Sequence, residues 1–197
     1  MSNPTTIKYS IFAAGLLGAI LLSIILLRDK HEPAVILPEL YVLPEFSFHD
    51  SQGNPFGKQQ MMGKINVVDF MFTTCMGPCP VMSAKMKRIY ERYEQSKNVQ
   101  LVSISVDPVR DTATVLSEYS KSHGVDDDRW VFIREDQVSK VADLCENGFK
   151  LAADGFPSGH PVFLILMDDM GVIRGYYDGL DDSRIDLLIT HIDQLIL

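Results

Sequence analysis

The sequence predicts an α/β domain built on a largely parallel sheet with helices on both faces, preceded by a membrane span. Three observations predict it. Short apolar runs rich in β-formers recur at Ile65–Phe72 (INVVDFMF), Val99–Val106 (VQLVSISV), Trp130–Ile133 and Val162–Met167 (VFLILM), and each has the length of a buried strand. Between them lie stretches whose apolar residues recur at helical spacing, the alternation that defines an α/β domain. Residues 1–27 contain one charged side chain, Lys8, whereas the rest of the chain carries 17 basic and 26 acidic residues.

The elements follow in chain order. Tyr9–Leu27 reads YSIFAAGLLGAILLSIILL, 19 residues without a charge. As a helix this run covers roughly the 30 Å hydrocarbon core of a bilayer. It exceeds the usual apolar region of a signal peptide and lacks an Ala-x-Ala-like exit, since Arg28-Asp29-Lys30-His31 follows; an uncleaved anchor is expected. There is no room before Tyr9 for a mitochondrial presequence, and the flanking charges Lys8, Arg28 and Lys30 barely decide orientation. The chain therefore divides into a tail (1–8), an anchor (9–27), a tether (28–44) carrying Pro33, Pro38 and Pro44, and a globular domain (45–197).

Within that domain, Phe46–Asp50 alternates and runs into a turn at Ser51-Gln52-Gly53-Asn54. Met82, Met86, Ile89 and Tyr93 mark one helix face. Asp111 is expected to cap a helix through Val115, Leu116 and Tyr119 that closes near Gly124. Val138, Val141, Ala142 and Cys145 predict a third helix, and Ile185, Leu188, Ile189, Ile192, Leu195 and Ile196 a last one. Val172–Tyr177 is expected to pair with Val162–Met167 as a hairpin across Asp168–Gly171.

Composition narrows the function. The chain has 197 residues, 46% hydrophobic and 22% charged, enough for a core and too apolar for wholesale disorder. A net charge of −8 argues against a nucleic-acid partner, which calls for a basic face. Three cysteines are too few for a disulfide framework.

The chemistry is concentrated at Thr73-Thr74-Cys75-Met76-Gly77-Pro78-Cys79-Pro80, between a buried strand and an amphipathic helix. Pro80 suits a first helical turn and disfavours helical geometry at Cys79, which places Cys79 at an N-cap and Cys75 on the loop before it. Both sulfurs then face the positive end of a helix dipole, which favours thiolate. Such a pair can close and reopen a disulfide or hold a soft metal. A structural zinc site calls for a second cysteine pair, which this chain lacks. An imidazole would complete a copper or open zinc site. His31, His49, His123 and His191 sit in the tether, near a turn, at a helix end and on the last helix, where surface or capping roles suffice. His160, in Phe156-Pro157-Ser158-Gly159-His160-Pro161, lies in a loop feeding directly into a strand, where loops converge on functional sites. Met76 is expected to pack within its loop, Cys145 to be a buried structural thiol, and Asp69 to lie on the buried strand leading to Cys75.

From about residue 44 to the C-terminus the sequence resembles the Sco/SenC family of membrane-anchored, thioredoxin-like copper proteins. Phe72-Thr73-Thr74-Cys75 through Cys79-Pro80 resembles its F-T-x-C-x-x-x-C-P segment. Ser105-Val106-Asp107-Pro108-Val109-Arg110-Asp111-Thr112 resembles its S-V-D-P-x-R-D-T segment, and His160 before an apolar strand ending at Gly171 resembles its third signature. Pro161 directly after His160, Met170 before Gly171 and the loop residues Met76-Gly77-Pro78 depart from the commoner family pattern.

The resemblance implies a thioredoxin-like fold with a central mixed sheet, copper (Cu(I) or Cu(II)) as cofactor, Cys75, Cys79 and His160 as metal ligands, and Cys75/Cys79 as a redox-active disulfide pair. Asp107 would lie near the site without assigned chemistry. It further implies a single-pass protein of the bacterial inner membrane with its domain on the periplasmic side. Its partners would be the copper-site subunit of cytochrome c oxidase and a copper donor or thiol reductant. The function expected is delivery of copper to the oxidase's binuclear copper site, or preparation of that site's cysteines. The alternative is a thiol–disulfide reductase that carries no copper. A peroxidase is disfavoured because Phe72 stands where the peroxiredoxin pattern has threonine.

Overall fold

A computed structural model of the chain describes residues 36–196 and two positions before them, Gly18 and Ser23. The predicted tail, the rest of the anchor and residues 28–35 of the tether lie outside the described residues. Among the described residues no helix is long and apolar enough to cross a membrane.

Eight strands form one sheet: β1 (Tyr41–Val42), β2 (Ser47–Asp50), β3 (Pro55–Gly57), β4 (Ile65–Met71), β5 (Val99–Ser105), β6 (Trp130–Arg134), β7 (Phe163–Met167) and β8 (Val172–Asp178). Their order is β1-β8-β7-β4-β5-β6-β2-β3. Only β4–β5 and β5–β6 are parallel; the other neighbours run antiparallel. The sheet is thus mixed, as the family resemblance implied, and not largely parallel as the alternation alone predicts. Connection length accounts for the sequence-adjacent pairs. Helices α2 (Cys79–Arg92) and α3 (Ala113–Ser122) supply the crossovers that parallel pairing needs, whereas short turns join β2 to β3 and β7 to β8.

All seven residues of β4 and all seven of β5 are buried, so alternate side chains feed two cores. Val67, Met71 and Leu101 pack with Met82, Met86, Ile89 and Leu116 and with Ile185, Leu188 and Ile192 of α5 (Asp182–Ile196). Val68, Phe70, Val102 and Ile104 face the opposite way, onto Met61 of the short α1 (Lys58–Met61), Val141 of α4 (Val138–Asp143), and Leu144 and Cys145 of the π-helical turn Leu144–Gly148. That π turn ends the helix predicted over Val138–Cys145. Thr112, not Asp111, caps α3, its side chain accepting from the Val115 N–H at 3.3 Å.

The predicted β7–β8 hairpin is present. Asp168 Oδ1 accepts from the N–H groups of Met170 (3.0 Å) and Val172 (2.9 Å), and Gly171 supplies the positive φ (78°) that the turn requires. The last part of the expected tether belongs to the domain. Leu37 and Leu43 are buried, Tyr41–Val42 pairs with Ile173 and Val172, and Arg174 holds the Leu37 and Pro38 carbonyls at 2.6 and 2.9 Å.

Candidate metal centre

Strand direction decides which residues meet. The parallel strands β4 and β5 end at the same edge, so the segments Phe72–Pro78 and Val106–Asp111 leave the sheet side by side. Because β7 is antiparallel to β4, with Val68 opposite Ile165 and Asn66 opposite Met167, the loop entering β7 lies at that same edge. His160 stands on this loop. Gly159 lets the loop fold tightly, since a Cβ there would sit 2.3 Å from the Asp154 carbonyl oxygen.

Cys79 is the first residue of α2, with Pro78 at the cap and Pro80 in the first turn, one step inside the N-cap position that the sequence predicts. It is 1% exposed, His160 is 6% exposed, and Cys75 is half-buried. Cys79 Sγ lies 3.2 Å from His160 Nε2. The other ring nitrogen, Nδ1, lies 3.0 Å from the Pro161 carbonyl oxygen. A carbonyl only accepts, so Nδ1 carries the hydrogen and Nε2 turns its lone pair toward the thiols. The Phe72 ring meets the imidazole edge-on, with centroids 5.5 Å apart. One ligand atom from each of Cys75, Cys79 and His160 falls within 4.8 Å of the others. Among the described residues this is the one such His, Cys, Asp or Glu group able to hold a metal ion. The three cysteines are unbridged.

Burial sets the protonation states. It holds the His160 imidazole below its ordinary pKa of 6.5, against the pull of its carbonyl partners, so the ring is neutral. It pushes the Cys79 thiol well above its usual range, and the adjoining Cys75 and Asp69 push the same way. At Cys79 the thiolate stabilisation expected from the helix N-terminus is therefore outweighed by desolvation. A soft cation would replace the thiol protons, and two thiolates with one neutral imidazole are a donor set that fits Cu(I).

The remaining candidates separate cleanly. Asp69 is buried, accepts from Ser103 Oγ at 2.6 Å, and is pushed up to about 7 by burial. Asp107 is ion-paired with Arg110 at 2.7 Å. Cys145 lies on the other face of the sheet, its thiol directed at the Leu151 and Ala152 carbonyls. His49 is exposed in β2, His123 ends α3 against the Tyr119 carbonyl, and His191 meets the Tyr177 hydroxyl at 2.6 Å; His31 lies outside the described residues. Met76 is 98% exposed, contrary to the expected loop packing, because the chain must bow outward between Cys75 and the helix start.

The sheet order, the strand-to-helix cysteine pair and the histidine delivered by an antiparallel strand define a thioredoxin-like domain with a thiol–imidazole metal site. The family model described as SCO1/SenC matches residues 37–196, and the chain belongs to that family. A SCO1/SenC family lipoprotein from Bacillus anthracis superposes with a TM-score of 0.73 at 28% identity, over 80% of this chain and 96% of that one. BsSco, a member of the Sco family of cytochrome c oxidase assembly proteins, gives 0.72 at 22% identity, covering 81% and 96%. Copper-bound yeast Sco1 gives 0.61 at 21% identity, covering 78% and 90%. The last two likenesses concern the fold.

Proposed function

We propose that this chain is a copper-binding metallochaperone that serves the binuclear copper site of a haem–copper cytochrome c oxidase, with Cys75, Cys79 and His160 as ligands. One observation carries the reading: the hydrogen-free Nε2 of a buried histidine is aimed at Cys79 Sγ from 3.2 Å, 81 residues away in sequence. Three donors suit a low-coordinate Cu(I) ion that a partner's ligands can take by exchange. The half-buried Cys75 is the accessible member, so exchange begins there. Copper bound in yeast Sco1 and the assembly role of the BsSco family support this reading.

The partners that fit are the oxidase's copper-site subunit, a copper donor and a thiol reductant. The uncharged run Tyr9–Leu27 serves as a single-pass anchor after the short tail 1–8, and holds the domain on the periplasmic side of a bacterial inner membrane. The lipoprotein nature of the Bacillus anthracis relative fits a tethered domain. The test is Cu(I) titration of the full chain in detergent. Wild type binds one equivalent, and Cys75→Ser, Cys79→Ser and His160→Ala each lose stoichiometric copper. Unchanged affinity and spectrum in His160→Ala overturns the three-ligand reading.

A second reading is favoured by the free thiol pair with a buried acid nearby, Asp69. In it the chain reduces a partner's disulfide, forming Cys75–Cys79 as the partner gains two thiols. That activity survives loss of His160. The readings are compatible, since an oxidised pair cannot hold copper.

A further inference from the structure

We infer that Asp111 is the positioning residue of the Cys75–Cys79 loop, clamping the strand exit at Thr73 to the end of β5. This inference rests on the copper reading for one of its two readouts and on the thiol pair alone for the other.

The Asp111 side chain is fully buried. Its Oδ1 accepts from Thr73 Oγ1 at 2.5 Å and from the Thr73 backbone N–H at 3.2 Å. Its Oδ2 accepts from Ser105 Oγ at 2.5 Å and shares the Thr73 N–H at 3.3 Å. Ser105 Oγ in turn accepts from the Asp107 N–H at 3.2 Å. No cation reaches this carboxylate among the described residues: Arg110 pairs with Asp107, and Arg134 holds the Asp111 and Pro108 carbonyls and Asp136. A buried carboxylate without a counter-ion is costly and persists only when hydrogen-bonded throughout.

Here every donor comes from the end of β5 or from the residue two places before Cys75. The ordinary use of an aspartate at this point, capping α3, is taken by Thr112 instead. Downstream of Thr73, Cys75 makes a turn onto the Phe72 carbonyl at 3.3 Å, and the chain is next held where α2 begins. The Asp111 clamp therefore sets where Cys75 Sγ sits relative to Cys79 and His160. Charge-assisted hydrogen bonds are the stronger kind, which suits a clamp at the base of this loop.

The experiment uses the full chain carrying Thr73→Val, Thr73→Ser and Asp111→Asn. Valine keeps the shape and the N–H but removes the hydroxyl donor, and serine keeps the donor. One readout is Cu(I) affinity by competition with a chromogenic Cu(I) chelator. The other is the Cys75/Cys79 dithiol–disulfide equilibrium in a glutathione buffer without metal. Asp111→Asn is expected to weaken copper binding by about 10-fold, the low end of the range for removing an outer partner of a metal ligand, because it acts through Thr73. Thr73→Val moves both equilibria in the same direction by less, and Thr73→Ser restores both to wild type. A merely structural role lowers the melting temperature without moving either equilibrium in the folded protein.

Unchanged copper affinity and unchanged dithiol equilibrium in Thr73→Val overturn the inference. Equal effects of valine and serine also overturn it. If Asp111→Asn does not fold, the Thr73 pair decides. Failure of wild type to bind Cu(I) sinks the copper reading alone, and the metal-free equilibrium still judges Asp111.

Discussion

Cys79 and Cys145 are both buried, and burial raises both thiols, yet they sit in different kinds of place. Cys145 is packed in the core beyond the sheet, its S–H pointed at two carbonyls, its pKa pushed up to about 12. Cys79 lies at the strand-end edge beside a second thiol and the lone pair of an imidazole. Desolvation alone makes an inert thiol, whereas convergent donors turn the same desolvation into a place that could hold a metal. A pair of substitutions tests this. Cys79→Ser abolishes stoichiometric copper. Cys145→Ala leaves copper stoichiometry intact and lowers stability by about 1–2 kcal/mol, a small cavity's worth. Copper binding lost in both by equilibrium titration would show that the core thiol is part of the site.

Two histidines, one buried beside the thiols and one half-buried on α5, extend the contrast. If His160 is the third ligand as proposed, His160→Ala weakens Cu(I) binding by more than about 100-fold, beyond the loss of an outer partner. His191→Ala, which removes only the Tyr177 contact, leaves affinity unchanged. Competition titration of the two variants side by side checks this.

Much of the contrast was legible in the sequence. β4 and β5 announce themselves because burial on both faces demands unbroken apolar runs, and the cysteine pair because a proline marks the helix start after a buried strand. The direction of β7 relative to β4 was not legible, since its apolar run reads the same either way and its short turn to β8 fixes only the course of β8. Loop position alone made His160 a candidate, and the family resemblance implied that it is a ligand. Asp111 reads as a cap in the sequence because a helix cap and a buried hub call for the same residue type. The docking of Leu37–Leu43 was hidden because prolines make an extended edge segment look like a free tether.

Acidity separates the Cys79 thiol from the imidazole. Copper takes thiolate, so a proton competes at Cys79 throughout the range below its raised value. Affinity therefore falls with acid, by up to about 10-fold for each pH unit from Cys79. His160 is held neutral by burial and adds no proton to this count near neutrality. Its own signature is in stability: the unfolded imidazole gains its proton first, so the stability it lends is present above its ordinary 6.5 and is lost as pH falls below it. Proton release on Cu(I) binding, measured at pH 7.5 in weak buffer, should be at least about one per copper, the Cys79 proton. A value near zero would mean that Cys79 is already ionised.

Asp69 works in the opposite sense. Burial raises it from 3.8 to about 7, so in the metal-free protein the folded state keeps the proton that the unfolded chain gives up. Stability is therefore lost as pH climbs from about 4 to about 7, at about 1.4 kcal/mol per unit at most. Asp69→Asn keeps an acceptor for Ser103 Oγ and removes the titration. Its melting temperature relative to wild type should rise across that window and level off above it. Parallel curves for the two proteins would place the Asp69 proton elsewhere.

The smallest expected effect concerns the loop itself. Met76 stands between Cys75 and Cys79 with its side chain almost wholly in solvent, so its thioether makes no packing contact whose loss could loosen the loop. Met76→Leu keeps the apolar bulk and removes the sulfur. Equilibrium affinity for Cu(I) should stay within about 2-fold of wild type, since an exposed surface change moves energies by about 0.5 kcal/mol or less. A larger loss, or a change in the copper–sulfur absorption of the loaded protein, would mean that the loop folds inward when metal binds and that a fourth, soft donor joins the three. The contrast between a sealed pair of inner ligands and an open outer edge would then fail at its rim.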